Sequence, residues 1–356
     1  MKVTGEAQGR ILVLSVAGIG DFVLGTPALR AIRQSFPQAF IWFLTTPEVR
    51  PLADRCPYVD AVRTMDLRRS RSAAWWTFGK KRRELWQLIR ELRAVHFDFA
   101  VNLYYVGTWL GGLRMAVFVW AIGASRIIGR YSRGRGLVYD LVSKSEAHEV
   151  DAQLDVARLI GAVPTSDLPE LWVTAEDRVS CAALLQELGI GSAEPIVCLH
   201  AGSARPEACW PLERFESVGQ RLAKDGARTL VIGTLGDQSR CATLAETIPN
   251  AISVAGRTSL PLLAALLERA TLLVTNDSGP MHMAAALGIP LVVPFGPADP
   301  ARFGPRGRAT CLIFSATNPA HGSAWWEGVT AEEVSDAAVR LFHEARTKMT
   351  RETQNP

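Results

Sequence analysis

The 356-residue chain has few cysteines for its length, and the six present form no Cys-x-x-Cys pair. Most of them sit in apolar runs, which excludes a disulfide scaffold or a cysteine zinc site and suits reduced core thiols in a cytoplasmic protein. There is no GxxxxGK[ST] loop, no HExxH helix, no EF-hand loop and no Gly-x-Ser-x-Gly elbow. P-loop, zincin, calcium-loop and α/β-hydrolase chemistries are therefore without an anchor. His96, His148, His321 and His343 are singletons, better read as surface or core residues than as ligands, and no metal is expected. The first ten residues are polar, so no secretory leader is expected. One apolar stretch, Val101 to Ile128, has to be weighed as a membrane span. Arg114 lies at its middle, and Asn102, Gly107, Gly111, Gly112 and Gly123 interrupt it. A central Arg costs about 2.5–3.5 kcal/mol on insertion, so the stretch reads as a strand followed by a buried helix.

What is present is an ordinary globular composition, 48% hydrophobic and 21% charged, which excludes a disordered chain. The net charge of +4 hides a split: residues 1–135 carry 21 basic and 9 acidic side chains, leaving 18 and 26 for residues 136–356. Short β-branched runs alternate with helical periodicity. Strands are expected at 10–15, 39–45, 60–64, 97–103 and 126–129, then at 195–200, 228–233, 251–254, 271–275 and 290–295. Helices fall between them, and 161–194 reads as a polar joining segment. This order predicts two parallel sheets covered on both faces, in two Rossmann-like domains. With the sheets facing each other, the central cleft is the natural ligand site, since ligands bind at the carboxyl ends of such strands. Boundaries are expected at 1–165 and 166–330, with 331–356 a helix packing back on the N-terminal domain and ending in a frayed tail.

Four segments could carry chemistry. Ser15–Asp21 follows the first strand; Gly18 and Gly20 fit a dinucleotide fingerprint, but Val23 breaks it and Gly25 comes too late. Asp21 is then either a helix cap or a carboxylate base. Thr275–Gly288 packs Asp277, Ser278, Gly279 and His282 into the turn after a buried strand, a helix start suited to an anion. The loop His200–Pro211 offers Ser203 and Arg205 as donors to phosphate. Gly233–Asp237 ends the next strand, where Asp237 either holds ribose hydroxyls or caps a helix.

Together these motifs resemble glycosyltransferase family 9, the ADP-heptose:lipopolysaccharide heptosyltransferases. The marks are GIGDFVLGTPALRAIRQSFP at 18–37, WPLERF at 210–215, the segment 256–290 containing TNDSGPMH, and FGPADP at 295–300. The resemblance covers about residues 10 to 340. It implies GT-B architecture and an inverting, metal- and cofactor-independent transfer of heptose from ADP-heptose, with Asp21 as general base. It also implies donor contacts at Asp277, Ser278, Gly279 and His282, and at Ser203 and Asp237; Arg205 is a candidate beside them. The acceptor would be a lipopolysaccharide core or related anionic glycolipid, met by the N-terminal domain and the Gly18–Gly20 loop. Two departures stand out. Ala208 occupies the position where the family usually has a Lys, and the family's cysteine-bearing segment is replaced by Asn318–Gly322. They keep two alternatives open: another nucleotide sugar, or a non-catalytic nucleotide-sugar or glycan-binding protein. Finally, residues 63–93 hold ten basic side chains against three acids, interleaved with Trp75, Trp76, Phe78 and Trp86. No nucleic-acid motif accompanies them. The expectation is a cytoplasmic enzyme with peripheral contact to the inner membrane and no nucleic-acid partner.

Overall fold

The computed structural model describes residues 9–66, 79–106, 108–130, 139–315 and 325–354. The chain divides into two compact units, Met1–Pro169 and Glu170–Pro356, just past the expected boundary. In the first unit the elements run β1 (Arg10–Leu14), α1 (Ile19–Ser35), β2 (Phe40–Thr45), α2 (Arg50–Ala53), β3 (Ala61–Thr64), α3 (Gly79–Val95), β4 (Phe99–Asn102), α4 (Trp109–Ile122), β5 (Arg126–Arg130), β6 (Leu141–Ser143) and α5 (Glu149–Leu159). The second continues with α6 (Ala175–Glu187), β7 (Ile196–His200), α7 (Leu212–Lys224), β8 (Arg228–Val231), α8 (Gln238–Thr247), β9 (Ile252–Ser253), α9 (Leu260–Arg269), β10 (Leu272–Thr275), α10 (Gly279–Leu287), β11 (Leu291–Pro294), α11 (Pro300–Phe303), β12 (Cys311–Phe314) and α12 (Ala331–Gln354).

Each unit holds a six-stranded sheet, in the orders β3-β2-β1-β4-β5-β6 and β12-β11-β10-β7-β8-β9. Every neighbouring pair is parallel. Counted from its own first strand, the second sheet repeats the order of the first, the doubly wound order of dinucleotide-binding folds. The chain reverses direction across the sheet between β1 and β4, and again between β7 and β10. The central strands are apolar on both faces, with Leu12, Val13, Leu14, Val197, Leu199, Leu273 and Val274 all buried. That is why they read as continuous hydrophobic runs rather than as alternation.

Elements not foreseen have local reasons. β6 and β12 are short edge strands whose residues are only partly buried. Within the joining segment, α6 buries only Asp177, Cys181, Leu184 and Leu185, so its apolar stripe is faint. Thr174 and Asp177 nonetheless mark its start with a reciprocal capping pair. One expectation is corrected: the apolar face of α12 is used inside the second unit. Val334, Ala338, Leu341 and Phe342 join the core that contains Trp210, Phe215 and Val218 of the WPLERF segment. His343 Nε2 meets Asp225 Oδ1 at 3.0 Å, and the helix backbone continues to Gln354 instead of fraying earlier.

Helix α1 explains two oddities of its motif. Pro27 lies inside it and has no N–H for the Val23 carbonyl, which instead accepts from the Thr26 hydroxyl at 2.7 Å. Gly25, misplaced for a fingerprint, is a packing glycine: a β-carbon there would stand 2.6 Å from Gln153 Oε1 of α5. Among the described residues no helix is long and apolar enough to cross a membrane.

Candidate active site

In the second unit the two central strands deliver their polar ends to one place. β7 ends in His200 and β10 in Thr275, paired in register. His200 Nδ1 lies 3.2 Å from Thr275 Oγ1 and 3.1 Å from Ser278 Oγ, and the two hydroxyls are 3.1 Å apart. Burial pushes His200 down to about 4, against a smaller opposing pull from Asp237, so the ring is neutral at pH 7. Asn276 ties the two loops together: its Nδ2 donates to the carbonyls of Ala201 (2.9 Å) and Gly202 (3.3 Å), while its Oδ1 accepts from Trp210 N–H at 3.0 Å. Nothing in the motif reading singled out His200 or Asn276. Their signal was available: polar residues closing buried apolar strands seldom lack a purpose, because an unpaired buried polar group is costly.

The predicted donors cluster on the same loops. Arg205 Nη2 meets Asp277 Oδ2 at 2.7 Å, and Ser203 Oγ donates to the Asp277 carbonyl at 3.4 Å while accepting from Arg205 N–H at 3.3 Å. Burial raises the Asp277 carboxyl above its ordinary range, and the Arg205 guanidinium works against that rise. Ser278 and Gly279 form the cap and first residue of α10, with His282 buried in its first turn. Asp237 sits one strand over. Its Oδ2 accepts from the Thr234 N–H (2.9 Å) and hydroxyl (2.6 Å), capping the short 3-10 turn Leu235–Asp237. Burial alone would raise Asp237; the Thr234 bonds outweigh it and hold the carboxyl below its usual range. Between Asp237 and His200 lies Gly202. A β-carbon there would stand 3.3 Å from both Asp237 Oδ1 and His200 Nε2, so glycine lets these two side chains close in on the backbone.

Ala208 is fully buried in the 3-10 turn Pro206–Ala208, pressed against Gly296 of the FGPADP segment. Trp325 Nε1 fastens the same turn through the Glu207 carbonyl at 2.8 Å. A long side chain at 208 would have to displace these neighbours. A cavity of about 660 Å³ lies elsewhere in this unit, walled by Cys181 and Leu185 of α6 and Ala265 of α9, and contains none of the site residues.

In the first unit Gly18 is the residue before α1 and Gly20 lies in its first turn. Asp21 Oδ2 accepts the Gly18 N–H at 3.2 Å, so the cap exists in the structure. Behind it, Gln153 Nε2 reaches the Asp21 carbonyl at 3.4 Å and Glu149 Oε1 at 3.2 Å, and Glu149 is ion-paired with buried Arg130. Asp21 thus belongs to the first unit, and the donor cluster described above to the second. Of the basic stretch 63–93, Arg68, Arg69, Arg71, Trp75, Trp76 and Phe78 lie outside the described residues, as do Asn318–Gly322. Among the described residues no group of three or more His, Cys, Asp or Glu side chains is arranged to hold a metal ion.

Comparison with known proteins bears on the family and the fold. The profile of glycosyltransferase family 9 (heptosyltransferase) matches residues 85–323. The chain is 24% identical over 314 residues to lipopolysaccharide heptosyltransferase 2 of Salmonella typhimurium, covering 82% of this chain and 84% of that one. It is 27% identical over 289 residues to lipopolysaccharide heptosyltransferase 3 of Escherichia coli K12, covering 79% and 80%. Among solved structures, a glycosyl transferase family 9 protein from Veillonella parvula superposes with a TM-score of 0.82, at 24% identity over 96% of this chain and 99% of that one. ADP-heptose LPS heptosyltransferase II of E. coli superposes at 0.75, with 21% identity over 94% and 99%. The fold is the GT-B architecture of these structures.

Proposed function

The chain belongs to glycosyltransferase family 9, and from that premise we propose that it transfers heptose from ADP-heptose to an anionic lipopolysaccharide-core acceptor with inversion. The observation that carries this reading is the paired set of loops at the β7/β10 reversal. They bring Ser203, Arg205, Asp277 and Ser278 together, with Asp237 close to Gly202 of the same loop. That is the place where open parallel sheets take nucleotides. In the proposed step the acceptor hydroxyl gives its proton to the Asp21 carboxylate as its oxygen bonds to the anomeric carbon. The bond from that carbon to the diphosphate breaks, and ADP leaves with the electron pair. Arg205, the Ser203 hydroxyl and the N–H groups at the start of α10 are the donors suited to the charge that grows on the diphosphate. Fixed in advance by Asp277 and Asn276, they need little rearrangement during the reaction. Asp237 is suited to the ribose through the oxygen it does not spend on Thr234.

Ala208 favours a second reading, the same fold with another nucleotide sugar, because its burial closes the position from which the family's Lys would reach the diphosphate. A panel of ADP- and UDP-sugars, assayed for nucleotide release with a heptose-free core acceptor, tests both. Acceptor-dependent ADP release with ADP-heptose is expected; release only with a different donor selects the second reading. Nucleotide binding without release from any donor would leave a binding protein.

A further inference from the structure

Five of the twelve large apolar side chains exposed among the described residues lie on one helix, α4: Trp109, Leu110, Leu113, Val117 and Trp120. Their spacing puts them on one face, while Gly112, Met115, Ala116, Phe118, Val119 and Ile122 are buried on the other. The other exposed apolar residues, such as Phe40, Val163, Val179 and Ile313, are scattered over other elements. A helix apolar all round belongs in a core or against lipid, and here one face is outside the core. Yet fourteen residues of helix span about 21 Å, short of the ~30 Å of a bilayer's hydrocarbon. Such a helix lies along an interface rather than across it. Its two tryptophans, 65% and 68% exposed, stand near its two ends, as the amphipathic indole does at a membrane surface.

Charge identifies the partner. α3 packs beside α4 and exposes Arg82, Arg83, Arg90 and Arg93 together with Trp86, against Glu84 and Glu91. Glu91 is already paired with Arg63 at 2.5 Å. Arg93 joins the two helices: its Nη1 donates to the Ala121 carbonyl at 3.3 Å, which sets a cation against the last turn of α4. Exposed aromatics beside unpaired positive charge fit an anionic lipid surface, whereas a neutral protein partner would have no use for the arginines. We propose that the exposed face of α4, flanked by the arginines of α3, is a docking surface for an anionic phospholipid bilayer. The inference deepens the proposed function and rests on its glycolipid acceptor for its purpose. α4 begins beyond the carboxyl end of β4, the sheet edge where α1 and Asp21 also begin, so a bilayer held there presents its glycolipids at that edge.

Flotation of the full chain with phosphatidylcholine vesicles, with and without phosphatidylglycerol, tests the surface. Binding should require phosphatidylglycerol and weaken with salt. Val117→Glu/Trp120→Glu, exposed positions that leave the core intact, should lose more than about tenfold. Arg83→Gln/Arg90→Gln should lose about fivefold per residue. All variants should keep turnover on a water-soluble, delipidated acceptor. Equal binding to neutral vesicles, or full binding by the α4 variant, would overturn the proposal. So would a wild-type dimer that the α4 variant splits, with no vesicle binding, since the face would then cover a second copy. Vesicle binding by a chain that transfers no sugar would sink the functional reading and leave the surface standing.

Discussion

In the second unit, side chains from the loops after β7 and β10 bond to each other across the reversal point, through His200, Asn276, Arg205 and Asp277. In the first unit, built on the same strand order, the loop after β1 is tied sideways instead. Thr45 Oγ1 donates to Ser15 O at 3.0 Å and Thr46 Oγ1 to Ala17 O at 3.3 Å, both from the end of β2. Asn102, at the end of β4, turns its amide to the Tyr139 hydroxyl at 2.8 Å. The same topology therefore makes two kinds of crevice. Cross-tied loops hold donors in a fixed constellation, which suits a small, highly charged group such as a diphosphate. Side-tied loops brace each wall separately and suit a bulkier acceptor. The outer helices follow the same division, since among the described residues an apolar exposed helix face beside arginines is found in the first unit. Local geometry matters more than overall field here, because the acidic half of the chain is the one with the anion-suited loops.

The largest effect should come from Asp21, the group to which the proposed function gives the chemistry of the first unit. Asp21→Asn keeps an acceptor for the Gly18 N–H, so the helix start should survive with a loss of at most about 1 kcal/mol. Transfer should fall by about 10²- to 10⁴-fold, the usual worth of a positioned base, with nucleotide binding unchanged. Steady-state turnover beside ADP titration would check this. Unchanged turnover would reduce Asp21 to a cap and leave the first unit without a catalytic group. Next in size is the tie itself. Asn276→Ala strands the Trp210 N–H and two carbonyls, and three lost bonds of about 1 kcal/mol each predict a loss of about 2–4 kcal/mol. Thr46→Ala, the sideways tie of the first unit, should cost only about 1 kcal/mol. Chemical denaturation of both variants compares the two crevices directly, and equal losses would erase the distinction drawn between them.

How much of this was legible follows from what each signal depends on. The alternation of apolar runs such as 10–14 and 196–200 with helical stretches is local, so the paired parallel sheets could be read from the sequence. The clustering of Ser203 and Arg205 with Asp277, over seventy positions apart, was suggested only because both segments follow strands; the strand order made it real. His200 stayed hidden because its role depends on Thr275 and Ser278 across the strand pair. The destination of α12 was misread for a related reason. Its apolar stripe says that it packs, but the partner, the helix of the WPLERF segment, is chosen by tertiary space. Asp21 and Asp237 were each left between cap and function, and in the structure both carboxylates do cap. Capping does not exclude chemistry, since a carboxylate has two oxygens.

The neutral His200 makes the second unit's crevice sensitive to acid. Its folded-state pKa of about 4 lies below the ordinary 6.5, so between these values the unfolded chain binds the extra proton. Stability is fully present above about pH 6.5 and is lost as pH falls towards 4, by up to about 3 kcal/mol. His200→Gln keeps a side chain able to bond Thr275 and Ser278 without titrating. It should flatten that slope in denaturation followed from pH 7.5 to 4.5, while hydrogen exchange in β1 and β4 stays as it was. An unaltered slope would move the acid sensitivity away from the cross-tied loops.

Arg205→Ala should have a smaller effect than Asn276→Ala, and it has the opposite pH signature to His200. Burial raises Asp277, so its contribution to folding is fully present below its ordinary value near 3.8 and is lost as pH rises through the folded-state value. At neutral pH the ionised carboxylate is a cost that Arg205 offsets, and removing the guanidinium raises the folded-state value further. The arginine is 48% exposed, so solvent screens the pair, and a loss of about 1–2 kcal/mol is expected at pH 7. That deficit should shrink towards zero as Asp277 protonates, which denaturation of wild type and variant at matched pH would reveal. A deficit that persists undiminished in acid would mean that the arginine supports the loop by packing its aliphatic stem. The cross-tie between the β7 and β10 loops would then rest on Asn276 and the His200 hydroxyl pair alone.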